Sequence, residues 1–215
     1  MRRKAAAIAQ FALFYALIFY FGPSEIRTAP NLYILCVVGV LAIIYQPGFS
    51  VFDGGSQKDC GTALQILWTI QITQFLGHVE AVFWRYPESF QWTLIAWIGL
   101  VSTLAGLGLR TWAVLHLGKA FTWHINPDAA DQLITNGPFA VFRHPSYVGA
   151  FFLYMGAIVF LQAYATLIVA LIAIPMAFVR RIKLEEEALE AKFGSAYTQY
   201  KSRVGAVLPR LPWRI

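Results

Sequence analysis

The residues between 136 and 149 combine groups that can do chemistry with prolines that fix their backbone. Arg143 and His144 stand directly before Pro145, and Pro138 lies a few residues earlier. Proline restricts the preceding residue to an extended backbone and is favoured in the first turn of a helix, so a helix is predicted to begin near Pro145. Its amino-terminal N–H groups and dipole suit an anionic group such as a cofactor carboxylate. The segment alone leaves another interpretation open, in which Arg143 only anchors the chain at a membrane surface and His144 is a loop residue.

A second charged cluster lies at residues 180–189, directly after a long uncharged run. Arg181 and Glu185 are four residues apart, so on a helix they share a face and can pair, as can Lys183 and Glu187. An ionisable pair that emerges directly from an apolar segment is better explained by a functional site than by a solvated surface. Beyond it, apolar residues recur every three or four positions, which predicts an amphipathic helix on the cytoplasmic surface. Its apolar positions are Leu189, Phe193, Tyr197, Tyr200 and Val204, with a break at Gly194 and an end at Pro209 and Pro212.

Familiar cofactor and metal motifs are missing from the sequence. The only close Gly-x-Gly pair, Gly106 and Gly108, lies in an apolar run and lacks the third glycine of a dinucleotide-binding loop. There is no phosphate-binding loop, no Cys-x-x-Cys and no His-Glu-x-x-His, so neither P-loop chemistry nor a metal site is predicted. The two cysteines are given no function. His78 and Glu80 point to different faces of a helix and are interpreted as interfacial residues.

The composition indicates which elements must position these groups. Of the 215 residues, 58% are hydrophobic and only 13% are charged, which is about half the charged share of a soluble domain. Long uncharged runs alternate with short charged clusters, so the fold class is predicted to be an all-α integral membrane protein. The longest run, 145–179, is too long for one crossing and predicts a helical hairpin with its turn near Gln162. The other runs long enough to span are 5–24, 31–50, 60–77 and 89–109. This gives five or six transmembrane helices, followed by the cytoplasmic amphipathic helix.

Basic residues set the predicted orientation. With the amino terminus in the cytoplasm, every Lys and Arg except Arg27 and Arg85 falls on the cytoplasmic side, which places both termini there. This topology accounts for the net charge of +6, so nucleic-acid binding is not predicted. The chain shows no repeat or flexible linker and is treated as one domain, residues 1–215. Within it, 1–110 holds amino-terminal transmembrane helices and 111–215 the cofactor-binding and catalytic region.

Together, the motifs resemble those of the isoprenylcysteine carboxyl methyltransferase family and its phospholipid methyltransferase relatives. The resemblance rests on Gly137-Pro138-Phe139, on R-H-P-S-Y-V-G at 143–149, on E-E-x-x-L at 185–189 and on F-G-x-x-Y-x-x-Y at 193–200. It covers about residues 115 to 212. The first four spans carry no comparable signature.

The resemblance implies an integral membrane methyltransferase that uses S-adenosylmethionine, with the cofactor entering from the cytoplasm and a lipophilic acceptor entering from the bilayer. Glu185 resembles the family's cofactor-contacting acid and Arg181 its substrate-facing base, and both are carried over as catalytic. Phe139 stands where the family usually has Tyr, which removes one hydroxyl from the pocket. The cofactor-binding residues carried over with Glu185 are His144, Pro145, Ser146, Tyr147, Phe139, Gln132, Leu133, Ile134 and Asn126.

The implied reaction is methyl transfer to the carboxylate of an isoprenylcysteine-like acceptor. Glu185 would balance the positive cofactor, and Arg181 would hold the carboxylate through two hydrogen bonds. Since a carboxylate is ionised at neutral pH, no general base is required. Transfer to a thiol is an alternative, and so is transfer to a phospholipid amine, although Arg181 disfavours a cationic headgroup. Two other classes stay open: a membrane reductase holding a nicotinamide cofactor with Arg143, Arg180 and Lys183, and a non-enzymatic scaffold or transporter, which the lack of mid-span ionisable residues disfavours.

Overall fold

Helices form nearly all of the protein's regular structure. A computed structural model describes residues 2–45, 59–85, 90–126, 129 and 131–210. Within those residues the predicted all-α class is confirmed, and the only β pairing is an isolated parallel bridge between Phe142 and Gly205. The helices are α1 (Arg2–Phe21), α2 (Pro30–Tyr45), α3 (Thr62–Glu80), α4 (Leu94–Leu117), α5 (Pro145–Phe160), α6 (Tyr164–Phe193) and α7 (Ser195–Arg203).

The outer faces of these helices are apolar, as a membrane-embedded protein requires. Two helical segments, Leu94–Ala120 and Tyr164–Phe193, are long and apolar enough to cross a bilayer, and α2, α5 and residues Ala7–Phe21 of α1 form shorter apolar helices. Large apolar side chains point outward from them; Val101 on α4 is 64% exposed and Ile168 on α6 is 65% exposed. Such a surface would be unfavourable in water and is favourable against lipid. The number of crossings and the cytoplasmic placement of the carboxyl-terminal helix stay predictions.

The predicted hairpin in the run 145–179 is confirmed. Helix α5 ends at Phe160 and α6 begins at Tyr164, so the break lies at the expected position near Gln162. Glu80, at the end of α3, accepts hydrogen bonds from the backbone N–H groups of Ala165 (3.0 Å) and Thr166 (2.7 Å) in the first turn of α6. A carboxylate at a helix amino terminus satisfies unpaired N–H groups and stabilises the helix dipole.

The interfacial interpretation of His78 and Glu80 is therefore wrong, because both side chains are buried. Glu80 caps α6, and His78 bonds to Tyr15 on α1. The spacing of two residues correctly predicted that the two side chains lie on different faces of α3. Both faces, however, pack against protein rather than solvent.

Helices α4 and α5 pack backbone against backbone. Gly99 and Gly106 on α4 are two helical turns apart, as are Gly149 and Gly156 on α5, so each pair lies on one face. A Cβ atom on Gly106 would lie 2.2 Å from the backbone nitrogen of Leu153, a distance that no side chain can occupy. Small residues thus permit the close approach, as is common between membrane helices.

Helix α4 continues two turns beyond the predicted end of the fourth span at residue 109. Arg110 lies inside the helix and is only 6% exposed, because its Nη1 donates to the Ser146 carbonyl (3.2 Å) and hydroxyl (3.0 Å). The prediction that the span ends before this charge is wrong, since a paired arginine can be buried. The bond ties α4 to the first turn of α5.

The carboxyl-terminal segment folds back onto the motif at 143–149. Gly194, with a φ of 51°, ends α6 and allows α7 to begin in a new direction, at the break that the sequence predicts. After α7, the Gly205 and Ala206 carbonyls accept hydrogen bonds from the N–H groups of Arg143 (2.8 Å) and His144 (3.0 Å). The extended backbone before Pro145 is thereby fixed against the end of the chain.

Candidate active site

A single cavity of about 740 Å³ connects the motif residues with the amino-terminal helices. The eleven site residues expected from the family resemblance all line it. Its wall includes Asn126, Gln132, Leu133, Ile134, Phe139, His144, Pro145, Ser146, Tyr147, Arg181 and Glu185. The structure therefore brings together residues that are separated by up to 59 positions in the chain, although it does not by itself assign their roles.

Glu186 organises the polar end of this cavity from outside its wall. One oxygen, Oε1, accepts from Arg143 Nη2 (2.6 Å), Arg143 Nε (2.9 Å) and His144 Nε2 (3.2 Å). Lys201 on α7 lies 3.2 Å from the other oxygen. Since a carboxylate only accepts, His144 Nε2 carries a proton here. Arg143 also donates to the Val204 carbonyl (2.5 Å), so it links three chain segments.

Glu185, one residue earlier on α6, faces the cavity instead. Its Oε2 accepts a hydrogen bond of 2.9 Å from the Tyr147 hydroxyl. Tyr147 lies in the first turn of α5 and its ring packs on Phe178 of α6, with ring centroids 5.4 Å apart. This carboxylate is thus oriented by one protein donor while facing open space, unlike that of Glu186.

Arg181 is held by a buried network that the sequence did not reveal. Its Nη1 donates to Asp59 Oδ1 (2.7 Å) and to the Thr62 hydroxyl (3.1 Å), and its Nη2 donates to the Trp123 carbonyl (2.6 Å). The side chain is 5% exposed. Arg181 forms a salt bridge with Asp59, because that carboxylate is buried and approaches from before α3. Glu185, the partner expected from the spacing, lies on the same cavity wall and acts on Arg181 through its charge.

Asp59 has several donors directed at it. Besides Arg181, it accepts from the Ile125 N–H (2.5 Å) and forms a short hydrogen bond with His124 Nδ1. Burial alone would raise the pKa of the Asp59 carboxyl, but these hydrogen bonds and the Arg181 charge hold that pKa below its ordinary value. The ionised carboxylate therefore fastens the segment 123–125 to the start of α3 and to the middle of α6.

Aromatic residues close the pocket around the 3₁₀ turn Gly137–Ala140. The Tyr200 hydroxyl of α7 donates to the Phe139 carbonyl at 2.6 Å, and burial raises the pKa of Tyr200 to about 12. Phe139 packs against the ring of His116. Gly137 has a φ of 58°, and a Cβ there would lie 2.7 Å from the His116 ring, so this turn accommodates glycine best.

One buried polar atom at this end has no partner among the described residues. The Tyr197 hydroxyl is fully buried, and its residue lines the cavity. A buried hydroxyl without a partner is unfavourable, and the charges of Glu186 and Arg143 act on this one from within the protein.

The opposite end of the cavity is apolar and aromatic. Helices α1, α2, α3 and α5 supply its wall, through Phe11, Phe14, Leu35, Val38, Ile66, Ile70 and Ala157. Phe178 and Arg181 are successive lining residues of α6, so the guanidinium lies where the apolar wall gives way to the polar one.

Four residues of functional interest were missed or misjudged from the sequence. Asp59 and Glu186 act through partners far along the chain, and Arg110 was placed outside a span. Tyr197 was recognised only as an apolar position of a helix. A signal existed for Glu186 alone, since two adjacent acids on a helix must point in different directions.

A sequence model of the isoprenylcysteine carboxyl methyltransferase (ICMT) family matches residues 97–191. The protein-S-isoprenylcysteine O-methyltransferase of Xenopus laevis is 37% identical over 126 residues, which are 58% of this chain and 44% of that protein. The human protein of the same name is 35% identical over 133 residues, 61% of this chain and 46% of that protein. The chain thus spans less than half the length of these two relatives. The family resemblance predicted from the motifs is confirmed.

A solved structure extends the similarity beyond the motifs. The structure of the eukaryotic intramembrane Ras methyltransferase ICMT matches 94% of this chain and 74% of its own length, with a TM-score of 0.65 and 25% sequence identity. Because the match takes in nearly the whole chain, it includes amino-terminal helices for which no family motif was found.

Proposed function

Since residues 97–191 match the isoprenylcysteine carboxyl methyltransferase family, we propose that this chain is an integral membrane methyltransferase. It transfers a methyl group from S-adenosylmethionine to the carboxylate of a lipophilic, isoprenylcysteine-like acceptor. The curated relatives act on protein S-isoprenylcysteine by name, and this chain is taken to act on an acceptor of the same chemical class.

The observation that carries this proposal is the two-part cavity. A polar end lined by Glu185, His144 and Tyr147 continues into an apolar end built from α1, α2 and α3, with Arg181 at the boundary. An acceptor with an anionic head and an apolar tail fits that order of surfaces. A soluble metabolite would leave the apolar end uncovered.

The polar end has groups that fit S-adenosylmethionine. This cofactor supplies a methyl group bound to a positively charged sulfur, and it also carries an amine, a carboxylate and hydroxyls. Glu185 offers a carboxylate for the positive charge, while the Ser146 N–H at the positive end of α5 offers a donor for the cofactor carboxylate. The segment 132–134 and Asn126 close the same end.

Arg181 retains donors for the acceptor carboxylate. A guanidinium has five N–H groups, and its bonds to Asp59, Thr62 and Trp123 use three of them. The two N–H groups left, one on Nε and one on Nη2, are the donors for the acceptor carboxylate. Asp59 fixes the plane of the guanidinium, which orients one carboxylate oxygen for in-line attack.

The membrane topology belongs to the same proposal. We place both termini in the cytoplasm, with residues 1–110 as transmembrane helices that contact the acceptor and 111–215 as the cofactor-binding and catalytic region. The cofactor then reaches the polar end from the cytoplasm and the acceptor enters from the bilayer. The basic residues on that side support this orientation.

The reductase alternative finds little support in the contacts. Arg143 is occupied by Glu186 and two carbonyls, and Arg180 donates to the Gln65 side chain and the Cys60 carbonyl. Neither is then available for cofactor phosphates without breaking these bonds. Nothing specific in the cavity favours amine methylation, because a cationic headgroup would lie beside Arg181.

Adjacent arginines on α6 provide the test. Arg181→Ala should reduce methyl transfer to an S-prenylated N-acetylcysteine by at least a hundredfold, because a buried charge-assisted contact is lost. Because Arg181→Ala also leaves the buried Asp59 carboxylate without its cation, Arg181→Lys, which keeps the charge but cannot make a two-pronged contact, is measured beside it. The affinity of the Lys variant for S-adenosylhomocysteine, measured by titration calorimetry, should change by less than threefold. Arg180→Ala, at an exposed neighbouring position, is the matched control and should retain activity. Full activity of the Arg181→Ala variant would overturn the role given to this residue.

A further inference from the structure

A cluster of three polar side chains lies in the apolar end of the cavity, away from the site described above. Tyr15 on α1 and Gln74 and His78 on α3 all line the cavity, and Tyr15 and His78 are 5% and 4% exposed. The ring of Phe14 meets His78 edge-on with centroids 5.0 Å apart, and Phe11 packs on Tyr15. Polar groups in such aromatic surroundings are unfavourable unless they are paired.

The hydrogen bonds among these residues have a fixed direction. The backbone carbonyl of Gln74 only accepts, so His78 Nδ1, 2.7 Å away, must donate to it. His78 Nε2 is then the acceptor nitrogen of the ring, and it accepts a hydrogen bond of 3.1 Å from the Tyr15 hydroxyl. The Tyr15 O–H is therefore already used as a donor, and its oxygen can only accept a further hydrogen bond.

Gln74 presents an acceptor in the same region. Its Nε2 donates to the Tyr154 carbonyl of α5 at 3.1 Å, which fixes the orientation of the amide. Within the described part of the chain, the side-chain oxygen of Gln74 has no partner. Within the cluster, Tyr15 and Gln74 thus present acceptor oxygens, because the ring N–H and the phenolic proton are both used. The amides of Gln10 and Gln71 line the same end of the cavity but belong to exposed residues.

The cluster is far from Arg181 and from the polar end of the cavity. Thr62, which contacts Arg181, opens α3, and Gln74 and His78 follow twelve and sixteen residues later. At a rise of 1.5 Å per residue, they lie about 18 Å and 24 Å along the helix axis from Thr62. An extended acceptor whose carboxylate binds Arg181 would reach this depth with the far end of its chain.

We propose that Tyr15 and Gln74 form a subsite for a hydroxyl group at the far end of the acceptor's apolar chain. This inference rests on the proposed function and specifies its substrate class further. A hydroxyl donates to either acceptor oxygen, whereas an ether or ketone would place lone pair against lone pair. A protonated amine would also donate, but its charge is too costly in apolar surroundings.

The test compares chain ends that differ only in hydrogen bonding. Two S-alkylated N-acetylcysteines with equal numbers of non-hydrogen atoms, one ending in CH2–OH and the other in O–CH3, are titrated into the detergent-purified protein with S-adenosylhomocysteine bound. We expect the hydroxyl-ended chain to bind roughly tenfold more tightly, since the ether leaves the acceptors unpaired. Equal affinities, or tighter binding of the ether, would overturn the subsite.

Gln74→Leu removes one acceptor oxygen and keeps the backbone carbonyl that holds His78, whereas Tyr15→Phe would leave His78 Nε2 as a new acceptor in place of the hydroxyl. We expect Gln74→Leu to reduce the preference for the hydroxyl to threefold or less, while Gln199→Leu, the same substitution at an exposed position of α7 outside the cavity wall, leaves the preference unchanged. A preference that survives in Gln74→Leu would contradict the assignment.

Because the readout is binding, the two proposals fail separately. A hydroxyl preference without methyl transfer would retain the subsite and refute the methyltransferase. Methyl transfer to both compounds without a hydroxyl preference would support the methyltransferase and refute the subsite.

Discussion

Glu185 and Glu186 are adjacent in α6 but serve different ends of the structure. Successive helical residues point about 100° apart, which directs Glu186 to Arg143 and His144 and directs Glu185 into the cavity. Glu186 builds the pocket, and Glu185 is available to a ligand. A test of the cofactor site therefore has to distinguish these two acids.

Glu185→Gln should weaken S-adenosylhomocysteine binding by roughly tenfold to a hundredfold, the cost of losing a charge-assisted hydrogen bond. The exposed Glu187→Gln, two residues further, removes the same charge from the helix and should leave the affinity unchanged. Titration calorimetry of both variants measures the difference. Equal affinities in wild type and Glu185→Gln would remove this residue from the cofactor site.

Asp59→Asn should destabilise the fold, because it leaves the buried Arg181 charge without its partner. The loss should be about 3 kcal/mol at neutral pH. Since the pKa of Asp59 is lowered in the folded protein, its stabilising effect is present above about pH 4 and is lost as the pH falls through the folded value.

Thermal unfolding at pH 7 and near pH 3 checks this prediction. The difference in melting temperature between wild type and Asp59→Asn should shrink at the lower pH, whereas the exposed Asp131→Asn should have no effect at pH 7. A difference that is absent at pH 7 would show that the ion pair does not support the fold.

The sequence could predict local groups of site residues but not their long-range partners. His144 and Tyr147 lie in one short motif, and a resemblance sufficed to find them. Asp59 is 122 residues from Arg181, in a stretch without any recognisable pattern, so only the folded chain reveals the pair. Ion pairs across such distances depend on how helices pack, which composition and spacing do not specify.

At the scale of helices, the contact between α4 and α5 depends on the absence of side chains. Gly106→Ala places a methyl group 2.2 Å from the Leu153 nitrogen, so the helices must separate at a cost of about 1 to 3 kcal/mol. Gly108→Ala, on the same helix with no atom within 4 Å of the new Cβ, should be neutral or slightly stabilising.

Melting temperatures in detergent compare the two alanine variants directly. We expect Gly106→Ala to unfold several degrees below Gly108→Ala. Equal melting temperatures would mean that α4 and α5 can separate without cost.

Helix positions were predictable from uncharged runs, and this rule also placed the turn near Gln162 correctly, because the run 145–179 is too long for one crossing. It fails at Arg110, because the rule treats every charge as the end of a span, whereas this guanidinium is buried against Ser146 and α4 continues past it. Helix ends are therefore decided by tertiary hydrogen bonds that hydropathy does not contain.

For the whole molecule, the cavity unites a carboxyl-terminal half rich in motifs with an amino-terminal half that has none. Its apolar wall needs only side chains of suitable size, so no particular residue pattern marks it in the sequence. The similarity to the solved structure over 94% of the chain, rather than any motif, relates these helices to a known fold.

Ile66→Trp, in the α3 wall, should obstruct the apolar end without touching the cofactor. We expect the KM for an S-prenylated acceptor to rise at least tenfold while the affinity for S-adenosylhomocysteine stays within threefold. Ile98→Trp, on the outer face of α4, adds the same volume outside the cavity and serves as control. A parallel loss of cofactor affinity in Ile66→Trp would contradict the division of the cavity into two ends.

The most direct test of the account is the chemical form of the transferred methyl group. Purified wild-type protein is incubated with radiolabelled S-adenosylmethionine and either an S-prenylated N-acetylcysteine or its carboxamide. We expect label only with the free acid, in a methyl ester that base hydrolyses to methanol. Label that appears in neither compound, or equally in the carboxamide, would contradict carboxylate methylation.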